Sequence, residues 1–335
     1  MSYACQREYI GHMDQLFSLR DYTLNGGKQQ GVRAVELHNG ADLDIIVLPD
    51  RCMDFYQLRY KGKSLNYIGP AGIVAPGLCL EDGRAFLNGF FCGFLTTCGL
   101  SNIGNPCEED GQKFGLHGKI SAAPAEQVGA RVEIAGGVPT AVIQGTMREG
   151  ALFGPNLSLK RTIVCKYGEN AFTFTDEAVN EGYNTMPFML LYHFNLGYPL
   201  LSEHAALHIP SSRVEPRTPL AREHLAGWRE ITPPSAPYEE MCYFHHGMDR
   251  DADGRVTVGV TNPSSGMAVR ITYDGGALDH FVQWKMLGKG EYTMGFEPCN
   301  ATIEGRPTAR ADGSLKFLEP GQRMSYSFTV AVSDQ

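Results

Sequence analysis

Apolar and polar side chains alternate in two early runs, Ala41 to Leu48 (ADLDIIVL) and Met53 to Tyr60 (MDFYQLRY), with the charged pair Asp50-Arg51 between them. A period of two puts one set of side chains on a buried face and the other outside, so both runs predict strands. From Ile68 to Gly118 glycine and proline come thickly, and only Phe90 to Leu95 is strongly apolar. That pattern predicts long loops around one or two short strands, and loops of this length usually serve a site. After Ala125 the alternation becomes regular. RVEIA (131–135), TAVIQGTM (140–147), LSLKRTIVCKY (157–167) and AFTFTDEAVN (171–180) predict four consecutive strands of a meander. A second group comprises Val256 to Val260, Met267 to Tyr273, Phe281 to Met286, Tyr292 to Phe296 and Met324 to Val332, separated by Asp-Gly and Asn-Pro turns. No apolar period of 3.6 residues persists beyond about three turns, and Pro219 to Trp228 is the best short-helix candidate. With no internal repeat or low-complexity linker, the chain reads as one large all-β sandwich spanning 1–335, with the proline-rich segment Pro210 to Pro237 as an external excursion.

Composition adds limits to that picture. Hydrophobic residues make up 43% and charged residues 20% of the 335 positions, enough apolar material for a core and too little charge bias for a disordered chain. There are 37 Asp and Glu against 29 Lys and Arg, a formal charge of -8. Nucleic acids and anionic membranes need a basic face, so neither is expected as a partner. A small molecule is, and homo-oligomer formation stays open. The N-terminal twenty residues hold no apolar stretch with a cleavage site, so the mature chain is expected to start near Met1, in the cytoplasm. Nine cysteines without a C-x-x-C pair read as reduced thiols, many of them buried. The most apolar stretch, Met186 to Leu201, is broken by Pro187, His193, Asn195, Gly197 and Pro199 and is shorter than the roughly 20 residues that span a bilayer.

Candidate chemistry is sparse. Asp249 to Gly254 resembles the start of a calcium loop, but the twelfth position is Val260 where a bidentate Glu is required, so an Asp-Gly turn is the better reading. A histidine taken blindly is most often a surface or hydrogen-bonded core residue. Three neighbourhoods depart from that baseline. His117 lies in Gly115-Leu-His-Gly118, where the backbone can approach a ligand. His193 sits inside an apolar run, where an imidazole is costly without a partner. His245 and His246 are adjacent, so in a strand only one can serve a given pocket. Glu297, in Gly295-Phe-Glu-Pro298, ends an aromatic strand and is a candidate general base tuned by partial burial. No G-x-S-x-G, Walker, Rossmann or H-E-x-x-H pattern occurs, which removes the common hydrolase, nucleotide and zinc-protease readings.

Six pieces of the chain, in order, are LPDRCMD (Leu48 to Asp54), TTCGLSNIGNP (Thr96 to Pro106), FGLHGKISAAPA (Phe114 to Ala125), LYHFNLGYP (Leu191 to Pro199), QWK (Gln283 to Lys285) and YTMGFEPCN (Tyr292 to Asn300). Together they resemble the aldose 1-epimerase (galactose mutarotase-like) superfamily, in its branch of aldose 1-epimerase family proteins, over nearly the whole chain. The resemblance implies a large antiparallel β-supersandwich that binds a carbohydrate in a groove without cofactor or metal. It implies an isomerase that opens and recloses the sugar ring, with Glu297 as base and His193 as acid. It also implies that His117 hydrogen-bonds the sugar and that Arg51, Asp54, Asn195, Trp284 and His245 contact it. Here His193 is followed directly by Phe194 and Asn195, one residue tighter than in galactose mutarotases. Two further readings keep the pocket. One is aldose–ketose isomerisation or epimerisation at another carbon, with a metal held by His117, His193, His245 or Glu297; the other is a carbohydrate-binding module without turnover, which would need no acid–base pair.

Overall fold

The computed structural model describes residues 3–335. Three antiparallel sheets dominate it. Ser18–Thr23, Arg33–His38, Leu43–Leu48, Asp54–Tyr60 and Lys63–Ser64 pair in chain order as a five-stranded sheet. An eight-stranded sheet runs Ala206–His208, Arg255–Asn262, Met267–Asp274, Arg323–Asp334, Ala171–Asn180, Asn156–Lys166, Val138–Gly150, Glu126–Ala135. Its last four members are the predicted meander. The third, here called the site sheet, runs Ser211–Pro216, Met241–Met248, His280–Gly288, Glu291–Cys299, Met186–Gly197, Lys316–Leu318, and Leu95–Leu100 also pairs with Met186–Gly197. This is the all-β, antiparallel architecture that the alternation predicts.

Burial follows the pleat. In Ala171–Asn180 the even positions Phe172, Phe174 and Ala178 are buried and face the site sheet, while Thr173 and Thr175 are exposed. Phe174 stacks on Phe328 at 4.6 Å, and Tyr192 of the site sheet meets Phe328 at 4.5 Å. The main core therefore lies between these two sheets. Met186–Gly197 is buried on both faces from Phe188 onward, because the core covers one face and loops cover the other. Double cover explains why its sequence reads as a continuous apolar run.

Inside this core sits an ionic knot. Arg161, fully buried, donates to Asp176 through Nε at 2.8 Å and Nη2 at 2.6 Å, to Asp54 through Nη1 at 2.9 Å and to the Thr97 hydroxyl at 2.9 Å. Asp54 also accepts from the Thr97 backbone at 2.8 Å and its hydroxyl at 2.6 Å, and the Tyr192 hydroxyl donates to Asp176 at 2.8 Å. Asp54 comes from the five-stranded sheet, Arg161 and Asp176 from the eight-stranded one, Thr97 and Tyr192 from the site sheet. Five residues thus tie three sheets together.

The loop-rich segment 68–118 holds short strands at Leu95–Leu100, Cys107–Glu109 and Gln112–Phe114, and the aromatic residues before Leu95 cover the core as irregular chain, with Cys92 in left-handed conformation (φ 60°). One expectation about the elements is corrected. The segment Pro210 to Pro237 is no external excursion, since Ser211–Pro216 forms the edge strand of the site sheet and Trp228 packs on the core. Within it, the predicted helix is real but short, Pro219–Glu223 followed by a 3-10 turn at Leu225–Gly227. Thr218 caps it by accepting from the Ala221 amide, and Pro219 opens it. No disulfide joins the nine cysteines among the described residues, and most of them are buried. No helix among the described residues is long and apolar enough to cross a membrane.

Candidate active site

The face of the site sheet turned away from the core carries the chemistry. Phe194 is paired with Phe296, so the register sets His193 directly across from Glu297 on neighbouring strands, with side chains on the same face. Their contact is 3.3 Å from Nε2 to Oε1, and both side chains are about 95% buried. The next strand pairs Trp284 with Gly295, and the one beyond pairs Cys242 with Trp284. A row of His193, Glu297, Trp284 and Cys242 results. Gly295 makes the row possible: a Cβ there would stand 2.8 Å from the Trp284 Cβ, 3.0 Å from Glu297 Oε1 and 3.2 Å from His193 Cε1.

Two loops roof this face and leave a narrow cleft of about 80 Å³. Phe90 from one loop meets the His193 ring edge-on at 5.2 Å, and His117 from the other lies 5.7 Å from it, centroid to centroid. His117 itself is left-handed (φ 60°), an uncommon conformation for a residue with a Cβ. Its backbone amide donates to Gly104 at 2.9 Å, and its Nδ1 accepts from the Gly104 amide at 3.3 Å. An accepting Nδ1 leaves the ring proton on Nε2, so His117 is a hydrogen-bond donor.

The protonation states follow from burial. Desolvation, with help from Glu240 and against Arg217, pushes the Glu297 carboxyl up to about 8. Desolvation and the neighbouring His117 push His193 well down, opposed by the Asn195 side chain. At neutral pH the pair holds one proton, and it resides on Glu297. His117 falls to about 4 through burial and the two guanidinium groups of Arg217 and Arg84. The cleft therefore contains two neutral imidazoles beside a neutral carboxylic acid.

Of the eight residues singled out in the sequence, His193, Glu297, His117 and Trp284 line the cleft together. Four do not. Arg51 is buried behind the roof, where its Nε, Nη1 and Nη2 each donate to a carbonyl, those of Ser121, Val74 and Gly89, at 2.8–2.9 Å; it staples loops there. Asp54 belongs to the ionic knot described above. His245 points from the opposite face of its strand to Cys242's, bonded to Ser211 Oγ at 2.8 Å and Gln283 Oε1 at 3.1 Å. Asn195 is fully buried under the His193 side of the sheet, its amide donating to the carbonyls of Cys92 at 3.0 Å and His193 at 2.9 Å. With its NH₂ so committed, Oδ1 is left without a well-formed partner, as is His193 Nδ1. Asn195 thus braces the His193 backbone and does not line the cleft.

Arg84, Arg217 and Glu240 also line the cleft and carry no sequence signal of their own, being polar residues in irregular or edge segments. Glu240 accepts from the Trp284 indole at 2.7 Å. Among the described residues no three His, Cys, Asp or Glu side chains converge as a metal would need. Other hollows, such as the one beside Arg7 and Ile134, lack a buried imidazole paired with a buried carboxyl.

Solved structures agree with this architecture. A protein of Klebsiella pneumoniae subsp. pneumoniae MGH 78578, provisionally assigned as an aldose 1-epimerase, superposes with a TM-score of 0.90 at 25% identity, over 95% of this chain and 85% of its own. A galactose mutarotase-like protein of Clostridium acetobutylicum superposes at 0.68 with 12% identity, over 96% and 100%. The galactose 1-epimerase of Lactobacillus acidophilus NCFM superposes at 0.58 with 13% identity, over 95% and 99%. The fold is thus the galactose mutarotase-like β-supersandwich, the class the six sequence pieces resemble. Within that class the chain belongs to the family described as a domain of unknown function, DUF4432, whose sequence profile matches residues 29–332. No curated protein matches it in sequence.

Proposed function

We propose that this protein is a carbohydrate isomerase that interconverts the anomers of an aldose. The observation that carries the reading is the cross-strand pair of Glu297 and His193, 3.3 Å apart and buried at the floor of a cleft. Anomer exchange needs a base for the O1 hydroxyl and an acid for the ring oxygen O5. Moving the shared proton from Glu297 to His193 across their contact creates both. Glu297 then takes the O1 proton as C1=O1 forms, and His193 Nε2 protonates O5 as the C1–O5 bond breaks. Rotation about C1–C2 presents the other face of the aldehyde. The steps reverse, and each proton returns to its starting atom. His117 Nε2–H suits a sugar oxygen, and the Trp284 ring gives the cleft an apolar wall.

Glu297→Gln keeps the shape of the site and removes its proton acceptor. Anomer exchange, followed by NMR exchange spectroscopy across pentoses, hexoses and uronic acids, is expected to fall by about 10²- to 10⁴-fold, with sugar binding retained. Full activity in the variant would remove Glu297 from the mechanism. Binding without exchange by the unaltered protein would favour a carbohydrate-binding module.

A further inference from the structure

The chain carries an excess of acid, 37 Asp and Glu against 29 Lys and Arg, yet two arginines, Arg84 and Arg217, line the cleft, with one glutamate besides Glu297. The glutamate, Glu240, is engaged by the Trp284 indole at 2.7 Å and acts on Glu297. Arg217 acts on both Glu297 and His117, and Arg84 on His117. Arg217 is anchored through Nε to Glu304 at 2.6 Å and through Nη2 to Asn105 at 2.9 Å, which leaves its Nη1 edge uncommitted to any oxygen. The Arg84 guanidinium makes no hydrogen bond or ion pair with any described residue. Between them His117 is a neutral donor, its Nδ1 already occupied. Three donors thus line the cleft together, one of them, Arg217, already paired with the Glu304 carboxylate. Arg84 is exposed at the edge of the cleft, and a guanidinium fork there matches the planar or tetrahedral oxygens of a carboxylate or phosphate.

We infer that the substrate is an acidic monosaccharide, with its carboxylate or phosphate between Arg84 and Arg217 beside His117 and its anomeric carbon at Glu297 and His193. This rests on the anomer-exchange reading above and narrows its substrate.

The test compares glucose, galactose, glucuronate, galacturonate and glucose 6-phosphate at matched ionic strength, with binding by ligand-observed NMR titration and exchange rates measured separately on the full chain. Acidic sugars are expected to bind about 10- to 100-fold tighter than their neutral counterparts, the scale of a charge-assisted contact. The uronates and the 6-phosphate tell carboxylate from phosphate. Arg84→Met is expected to bring the affinity for the acidic sugar down to that of the neutral one through KM more than kcat, and Arg84→Lys to restore part of it. Equal binding of neutral and acidic sugars by the unaltered protein, or a preference that survives Arg84→Met, would overturn the inference. Its failure is separable from that of the reaction. Arg84-dependent binding of an acidic sugar without anomer exchange would sink the proposed reaction and leave the substrate class standing, and Glu297→Gln is expected to bind the acidic sugar while failing to turn it over.

Discussion

A carboxyl group that ionises near 4.5 in an unfolded chain and near 8 in the folded one makes folding take up a proton at neutral pH. Glu297 is therefore a liability to stability. Its contribution is fully present below pH 4.5, shrinks as the unfolded chain releases the proton, and is lost once pH passes 8, a swing on the order of 3–5 kcal/mol. Glutamine cannot ionise. Glu297→Gln is accordingly expected to melt higher than the unaltered protein at pH 8, with the difference vanishing near pH 4.5; thermal unfolding at the two pH values measures it. Equal melting at pH 8 would mean that the carboxyl is not desolvated by its surroundings. His193 and Glu297 were legible in the sequence because each is a polar residue where an apolar one would be cheaper, in a piece that resembles a known family. The same cue misled at Asn195, Asp54 and Arg51. A buried polar residue satisfied by carbonyls or by another charge looks identical in sequence to one that meets a ligand; only the position of its partners, here 15 to 109 residues away for most of the bonds of Asp54, Arg51 and Arg161, tells them apart.

Strand pairing converts such single residues into a site. His193 and Glu297 are more than a hundred positions apart in the chain, and one register, Phe194 against Phe296, brings them together. That register depends on a strand having room where side chains from three strands crowd, and Gly295 supplies the room. Gly295→Ala places a methyl group within 2.8 Å of the Trp284 Cβ, which its own backbone holds, and 3.0–3.2 Å from the reacting pair. The expected result is a destabilisation of about 1–3 kcal/mol and a larger fractional loss of exchange activity than of folded protein, read from denaturation curves and NMR exchange rates on the same sample. Activity falling only in proportion to folded protein would show that the pair tolerates displacement. At this scale the sequence was informative where one face of a strand meets water, as in the 126–180 meander. It was least informative for Ser211–Pro216, an edge strand with exposed Ser212, Arg213 and Glu215, whose composition is that of a loop; Arg217, at its end, stayed hidden for the same reason.

Across the whole molecule the three sheets share one buried cation. In LSLKRTIVCKY, Arg161 falls in the same alternate set as Leu157, Leu159, Ile163 and Cys165, all buried, while Lys160 is exposed; Asp176 likewise shares a face with Phe172, Phe174 and Ala178. Both charges thus fall on the inward face of the alternation, although the pattern alone does not say that they pair. What it could not supply was Asp54, which arrives from a different sheet and shares the guanidinium. Arg161 meets both carboxylates at full burial, so desolvation and attraction nearly cancel while the pair is complete, and removing one partner exposes the whole desolvation cost. Burial already raises Asp54 to about 6, held down by Arg161 and Thr97. Without Arg161 that restraint disappears. Arg161→Met, close in length but uncharged, is expected to destabilise the fold by about 3–5 kcal/mol at pH 7. The sign of its pH dependence follows. In the variant Asp54 loses the cation that lowers its pKa, so its folded pKa lies further above the unfolded one, and stability returns as pH falls from 7 towards 4. Urea midpoints at pH 7 and pH 5 should thus lie closer between variant and unaltered protein at the lower pH. A gap that stays constant or widens would mean the carboxylates find other cations or water on losing Arg161, and the three sheets are then held by apolar packing alone.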